Sequence, residues 1–382
     1  MGKKYRRPFR IALILSLLLL GNTGVRALDN PKPKANPAVQ LMLLSEEKPN
    51  VVFVTSTAYD GNLGGLAGAD QKCQALAEAA GLPKNTYRAW LSTLSVNAID
   101  RLGSARGWVR VDGKPFADTK ADIVAGKIFY PLRVDESGIY DDTPEAPDVW
   151  TGTGYDGTLI WSEETCGDWM SSSDTLQGSG GYNDGVTGVF TNYSYTGCHT
   201  TSRLYCFGID NQTPVTVKPV AGRIAFFTKS AWTPSGGLAG ADQLCTEEAQ
   251  QAGLSGTFKA LLAAEGTTAA SRFDLNRTPW VRPDGVAIAP TAADLFSAEF
   301  LDSSIAQSAD GLQYFGNYGA WTGAWGPTAP GTPETTCNNW TSSSDANAPV
   351  YGVSGFTYQN RFFSGGSCQC NADWNHLYCL QE

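Results

Sequence analysis

Two stretches of the chain bring aromatic rings together with amides, hydroxyls and carboxylates. The first holds Glu163, Glu164, Asp168, Trp169 and Ser171 to Asp174, then continues through Asn183, Asp184, Asn192 and Tyr193. The second holds Glu334, Asn338, Asn339, Trp340 and Ser342 to Asp345, with Tyr351 and Tyr358 beyond. This mixture suits saccharide recognition, in which an apolar ring face stacks on an aromatic and the hydroxyls need directional partners. The candidate ligand contacts are therefore Asp168, Trp169, Ser172, Asn183, Asp184, Asn192 and Tyr193 in the first stretch. In the second they are Asn338, Asn339, Trp340, Ser343 and Asp345. For Trp169 and Trp340 themselves, packing against the neighbouring cysteine is the favoured reading, because large aromatics dominate cores.

Other chemistry has less to draw on. Asp135, Glu136, Asp141, Asp142, Glu145 and Asp148 crowd into fourteen residues, which makes Asp135, Asp141 and Asp142 candidate calcium ligands. The spacing is not that of an EF-hand, and a solvated acidic loop is the preferred reading, so no cofactor is expected. Catalysis has weaker signals still. Glu163 and Glu164 are sequence neighbours, which gives no reason for facing carboxylates. No nucleophile elbow is present, and the chain has only two histidines, His199 and His376. The expectation is a protein with no catalytic residue and no metal site.

The elements that must position these residues come in two copies. Gly65 to Gln71 returns as Gly237 to Gln243, with Cys73 and Cys245 two residues later. Trp108, Trp150, Cys166 and Trp169 recur as Trp280, Trp321, Cys337 and Trp340, and Leu204 to Cys206 recurs as Leu377 to Cys379. An offset of 171 to 173 residues is a duplicated domain, since solenoid periods are roughly 20–50 residues. Each copy opens on a β run, Val51 to Thr55 or Ile224 to Thr228. A helix then starts at the repeated glycine segment and is expected to bury Ala67, Cys73, Leu76 and Ala80.

Residues 1–27 read as a cleaved signal peptide: a basic start, an apolar run from Ile11 to Leu20 too short to span a bilayer, and small residues at the end. Residues 28–50 read as a tether, 51–209 as the first domain, 210–219 as an extended linker with two prolines, and 220–382 as the second domain. Removing the leader takes away six basic side chains and moves the formal charge from −9 to −15. The first copy carries 19 acidic against 11 basic residues and the second 14 against 7, so nucleic acid and other long polyanions are poor partners. No membrane span is expected once the leader is gone.

All nine cysteines follow the leader, where an exported chain keeps disulfides. The first copy has four and the second five; four cysteines allow three connectivities, and spacing alone does not choose among them. Copy-to-copy spacing slightly favours Cys370 over Cys368 as the match for Cys198.

The run Ala80 to Leu91, matched by Ala252 to Leu262, resembles the helix-to-strand segment of endostatin, the C-terminal domain of certain collagens. Val149 to Gly152, Cys166 to Trp169 and Cys198 to Cys206 resemble endostatin signatures in the same order. Endostatin is a variant of the C-type lectin-like fold, so the resemblance implies an α+β protein of two tandem C-type lectin-like, endostatin-like domains, each stapled by two disulfides. The chain is also similar to a bacterial family of exported proteins of unknown function. The implied pairs are Cys73–Cys206, Cys166–Cys198 and Cys245–Cys379, with Cys337 joined to Cys370 or Cys368. The calcium-binding motifs of sugar-binding C-type lectins are absent, as are endostatin's histidine and arginine clusters. The expected function is recognition of, or adhesion to, a glycan or protein ligand at or outside the cell envelope. A structural or assembly role in the envelope without a soluble ligand is the alternative, and an unrecognised hydrolase the third reading.

Overall fold

Two fifteen-residue helices, Gly65–Ala79 and Gly237–Gln251, anchor the two copies. Both end the same way. Gly81 and Gly253 adopt positive φ just past the last turn, and the next leucine N–H returns to a carbonyl inside the helix, Leu82 to Ala77 and Leu254 to Ala249. That is the glycine-terminated stop expected where a helix must end sharply. The buried stripe differs from the expected one. Ala69, Cys73 and Ala77 are buried, Leu76 and Ala80 only partly, and Ala67 faces solvent. A four-residue period from Cys73 selects this face, because the cysteine must reach the closing strand.

The repeated aspartate of that helix has a structural task. Asp70 accepts the backbone N–H of Ala89 and pairs with Arg101, while Asp242 accepts that of Ala260 and pairs with Arg272. Each therefore pins the end of the next strand to the helix.

The structure is a computed structural model and describes residues 36–44, 48–142 and 149–382. The expected signal peptide lies outside them, as do Glu145 and Asp148. Of the expected tether, Pro37–Leu44 forms a helix, with Asn36 Oδ1 accepting the Ala38 N–H at its start. Its Val39 is buried and Met42 packs against the core of the first copy, so this stretch belongs to the fold.

The architecture is mixed α+β with several small sheets. In the first copy the strand order is Tyr87–Ala89, Tyr205–Gly208, Asn50–Val54, Trp108–Arg110, Pro115–Ala117. In the second it is Phe258–Ala260, Tyr378–Gln381, Arg223–Phe227, Trp280–Val281. In each sheet the opening strand pairs in parallel with the Trp-Val strand. A three-stranded antiparallel sheet accompanies each: Val149–Trp150, Gln177–Gly181 and Ser194–Gly197, or Gly319–Trp321, Val350–Val353 and Gly366–Ser367.

Four disulfides tie these elements together: Cys73–Cys206, Cys166–Cys198, Cys245–Cys379 and Cys337–Cys370. The choice left open by spacing falls on Cys370. Cys368 is a half-buried free thiol, and burial pushes its pKa up to about 11, which keeps it protonated and unreactive.

The copies do not stand apart. Residues Asn36–Glu382 form one compact unit. Arg282 of the second copy donates to the carbonyl of Ile128 in the first at 2.9 Å, and Ser303 to that of Phe129 at 2.7 Å. Val186 N–H reaches the carbonyl of Gly355 at 2.7 Å, and Lys114 pairs with Asp302 at 2.9 Å. Even Ala306 sits within the core of the first copy. The 210–219 segment has no regular secondary structure and is pinned at both ends, Asn211 to Asn50 and Val220 to Gly285.

Candidate functional site

The two expected ligand tryptophans are corrected by their burial. Trp169 and Trp340 are fully enclosed, and their indole N–H groups donate to the carbonyls of Ser92 and Ala263, each at 2.8 Å. No face is left for a sugar. Each closes a turn in which four successive residues hold positive φ, 49° to 65°: Cys166 to Trp169 and Cys337 to Trp340. Such a run costs roughly 1–2 kcal/mol per non-glycine residue. The disulfide at its first residue and the buried indole at its last hold it in place. Asp168 and Asn339 sit third in the turn, where short polar side chains tolerate the left-handed region. Their side-chain oxygens accept the backbone N–H of Leu94 and Glu265. They brace a loop, and so do not present a recognition group. Gly152 and Gly323 of the repeated Trp-Thr-Gly triplets also have positive φ, and a Cβ on either would collide with Trp169 or Trp340.

Asn183 and Asp184 are buried where the copies meet. Asn183 donates to Asp141 at 2.9 Å. Asp184 accepts the N–H of Tyr358 through its carboxyl and that of Thr357 through its carbonyl. Burial pushes the Asp184 carboxyl above its ordinary value, although Arg361 and Arg133 pull it down. Ser172 is exposed in the first copy, Asn338, Ser343 and Asp345 are exposed along one stretch of the second, and Asn192 is half-buried. Asn338 also takes a positive-φ place in its turn.

The acidic stretch does not converge. Asp135 accepts backbone N–H groups of Ser137 and Ile139, Asp141 lies 3.1 Å from Arg203, and Asp142 pairs with Arg133. Among the described residues no group of three acidic, histidine or cysteine side chains is placed to hold a metal ion. His376 is buried beside Phe227 and bonded to the carbonyl of Thr228, and burial lowers its pKa.

One expected residue does reach an open site. Tyr193 lines a cleft of about 470 Å³ with Trp325, Asn360, Arg361 and Ser364, floored by Val353. Tyr193 comes from the first copy and the others from the second. Trp325 follows Gly323, whose turn throws the indole into solvent, and is 60% exposed; Tyr193 is 38% exposed. The Tyr193 ring meets Phe356 edge-on at 4.8 Å, a contact between copies. Asn360 and Arg361 sit on the short helix Gln359–Phe362, whose preceding residue, Tyr358, is held by Asp184. The Arg361 guanidinium lies 4.0 Å from the ring centre of Tyr182 and 4.9 Å from that of Phe356. It is stacked, charged and without an ion pair among the described residues.

Sequence reasoning missed Trp325, Asn360, Arg361 and Ser364. Trp325 carried a signal: it falls where the first copy has Gly154, a large aromatic outside the shared pattern. No described helix is long and apolar enough to cross a membrane. Residues 231–359 match a protein family described as "Protein of unknown function (DUF1554)". The match takes in Trp325 and stops short of Asn360 and Arg361. No curated protein matches the chain.

Proposed function

We propose that this is an exported, non-catalytic binding protein that acts at or outside the cell envelope and seats a saccharide in the Tyr193–Trp325 cleft. The observation that carries this reading is an exposed indole and a partly exposed phenol over an opening that also presents an amide, a hydroxyl and a guanidinium. Aromatic faces take the apolar side of a pyranose, and the polar groups take its hydroxyls. A binding role is favoured over catalysis because none of the residues that line the cleft carries a carboxyl, and Asp184 behind Tyr358 is buried and accepts its N–H. The finer fold assignment belongs to the same proposal. Each copy ties its long helix to its closing strand by one disulfide and carries a second in the small sheet, which supports a C-type lectin-like domain of the endostatin kind.

A glycan array probed with the disulfide-intact chain tests this. The wild type is expected to give defined saccharide signals. Trp325→Ala is expected to weaken them about tenfold, the loss of roughly 1.4 kcal/mol of stacking. Its melting temperature should hold, because the indole is exposed. Signals equal in wild type and variant, or no saccharide bound by a folded wild type, would contradict the reading.

A further inference from the structure

Among the described residues the arginines withdrawn from solvent are each held by a partner except at the cleft, and Arg277 is exposed. Arg88 and Arg101 share Asp70; Arg106, Arg110 and Arg133 pair with Asp118, Asp112 and Asp142. Arg203, Arg272 and Arg282 pair with Asp141, Asp242 and Asp284. Arg223 stacks on Trp280 and donates to the carbonyls of Thr278 and Asp274. Arg361 is half-buried like several of these, and it acts on the buried Asp184 carboxyl through space, without a salt bridge to a described residue. Its guanidinium carbon lies 4.0 Å from the ring centre of Tyr182 and 4.9 Å from that of Phe356. The rings hold the cation at the cleft without using its N–H groups, and a guanidinium fork receives a carboxylate in two parallel bonds.

From this we infer that the saccharide carries a carboxylate, as in a uronic acid, and that Arg361 is the group that binds it; the inference rests on the saccharide reading above. The neighbouring polar groups complete the match. Asn360 Nδ2 is donated to the Tyr358 hydroxyl, which leaves its Oδ1 to accept from a sugar hydroxyl. Ser364 Oγ donates to the Asn360 carbonyl, which leaves its lone pairs for another. A cation edge beside two acceptors fits one acidic group on an otherwise hydroxylated ring. The net negative charge of the chain disfavours a polyanion, so the preferred ligand has an isolated carboxylate rather than a run of charges.

The test is calorimetric titration of the intact protein with matched pairs of methyl glycosides that differ only at C6. One member carries a carboxylate and the other a hydroxymethyl, in gluco, galacto and manno series. The wild type is expected to bind one acidic member about tenfold or more tighter than its neutral mate. The preference should shrink as salt is added. Arg361→Met should abolish it, bringing the ratio near one, and Arg361→Lys should restore part of it. Equal affinity for the acidic and neutral members overturns this inference and leaves the saccharide reading standing. No binding of any member, with no saccharide signal on the array, overturns both. The wild-type ratio decides the matter alone should Arg361→Met fail to fold.

Discussion

Replacing Cys73 and Cys206 together by serine is expected to lower the stability of the chain by about 5 kcal/mol in the chain-entropy account. The bridge joins residues 133 apart, from the middle of the Gly65–Ala79 helix to the closing Tyr205–Gly208 strand. Both cysteines are fully buried, so the serines would also place hydroxyls among apolar neighbours. The inner bridge, Cys166–Cys198, closes only 32 residues and is worth roughly 4 kcal/mol by the same reckoning. Its loss would also release the left-handed turn, which strains against it. Urea denaturation of the two double variants without reductant compares them directly. An outer-bridge loss below about 1 kcal/mol would mean that the helix and closing strand hold each other without the sulfur link.

Arg282→Met has an effect of similar size for a different reason. The guanidinium is completely buried, pairs with Asp284, bonds Ser303 of its own copy and reaches across to Ile128. Methionine fills part of the space but leaves the Asp284 carboxylate and the Ile128 carbonyl without their donor. Removing one partner of a buried ion pair costs about 3–5 kcal/mol. Because Ile128 belongs to the other copy, the damage should not stay in the second. Denaturation followed separately by tryptophan fluorescence and by circular dichroism should show both signals moving together to lower urea. A variant in which one half melts early while the other keeps its wild-type midpoint would show that the copies are energetically independent.

The equivalent Arg110 explains why this contact was not legible. Both copies carry Trp-Val-Arg followed by an aspartate two residues on, and both arginines pair with that aspartate. Arg110 donates to Pro131 within its own copy, whereas Arg282 donates across the boundary. The motif specifies the buried pair; the second acceptor depends on how the copies meet, which no local pattern encodes. The same division runs through the rest. The helix, the repeated tryptophans and the cysteine frame were readable because periodicity and duplication are local signals. Trp169, Trp340, Asp168 and Asn339 were readable as a unit but not as a conformation: nothing in their types shows that the chain turns left-handed there. Asn183 and Asp184 have the composition of an open loop and lie buried because the Thr357–Tyr358 segment covers them. The cleft joins Tyr193 to residues more than 130 positions away, and Arg361 has no counterpart in the first copy to draw attention to it.

The central claim is that the binding site is a product of both copies, with Tyr193 of the first completing a wall otherwise built by the second. The measurement that tests it most directly is titration of Tyr193→Ala with the strongest saccharide from the array. The affinity is expected to fall about tenfold, as for Trp325→Ala, with melting little changed. Unaltered affinity in a folded Tyr193→Ala protein would contradict the account and place the ligand elsewhere.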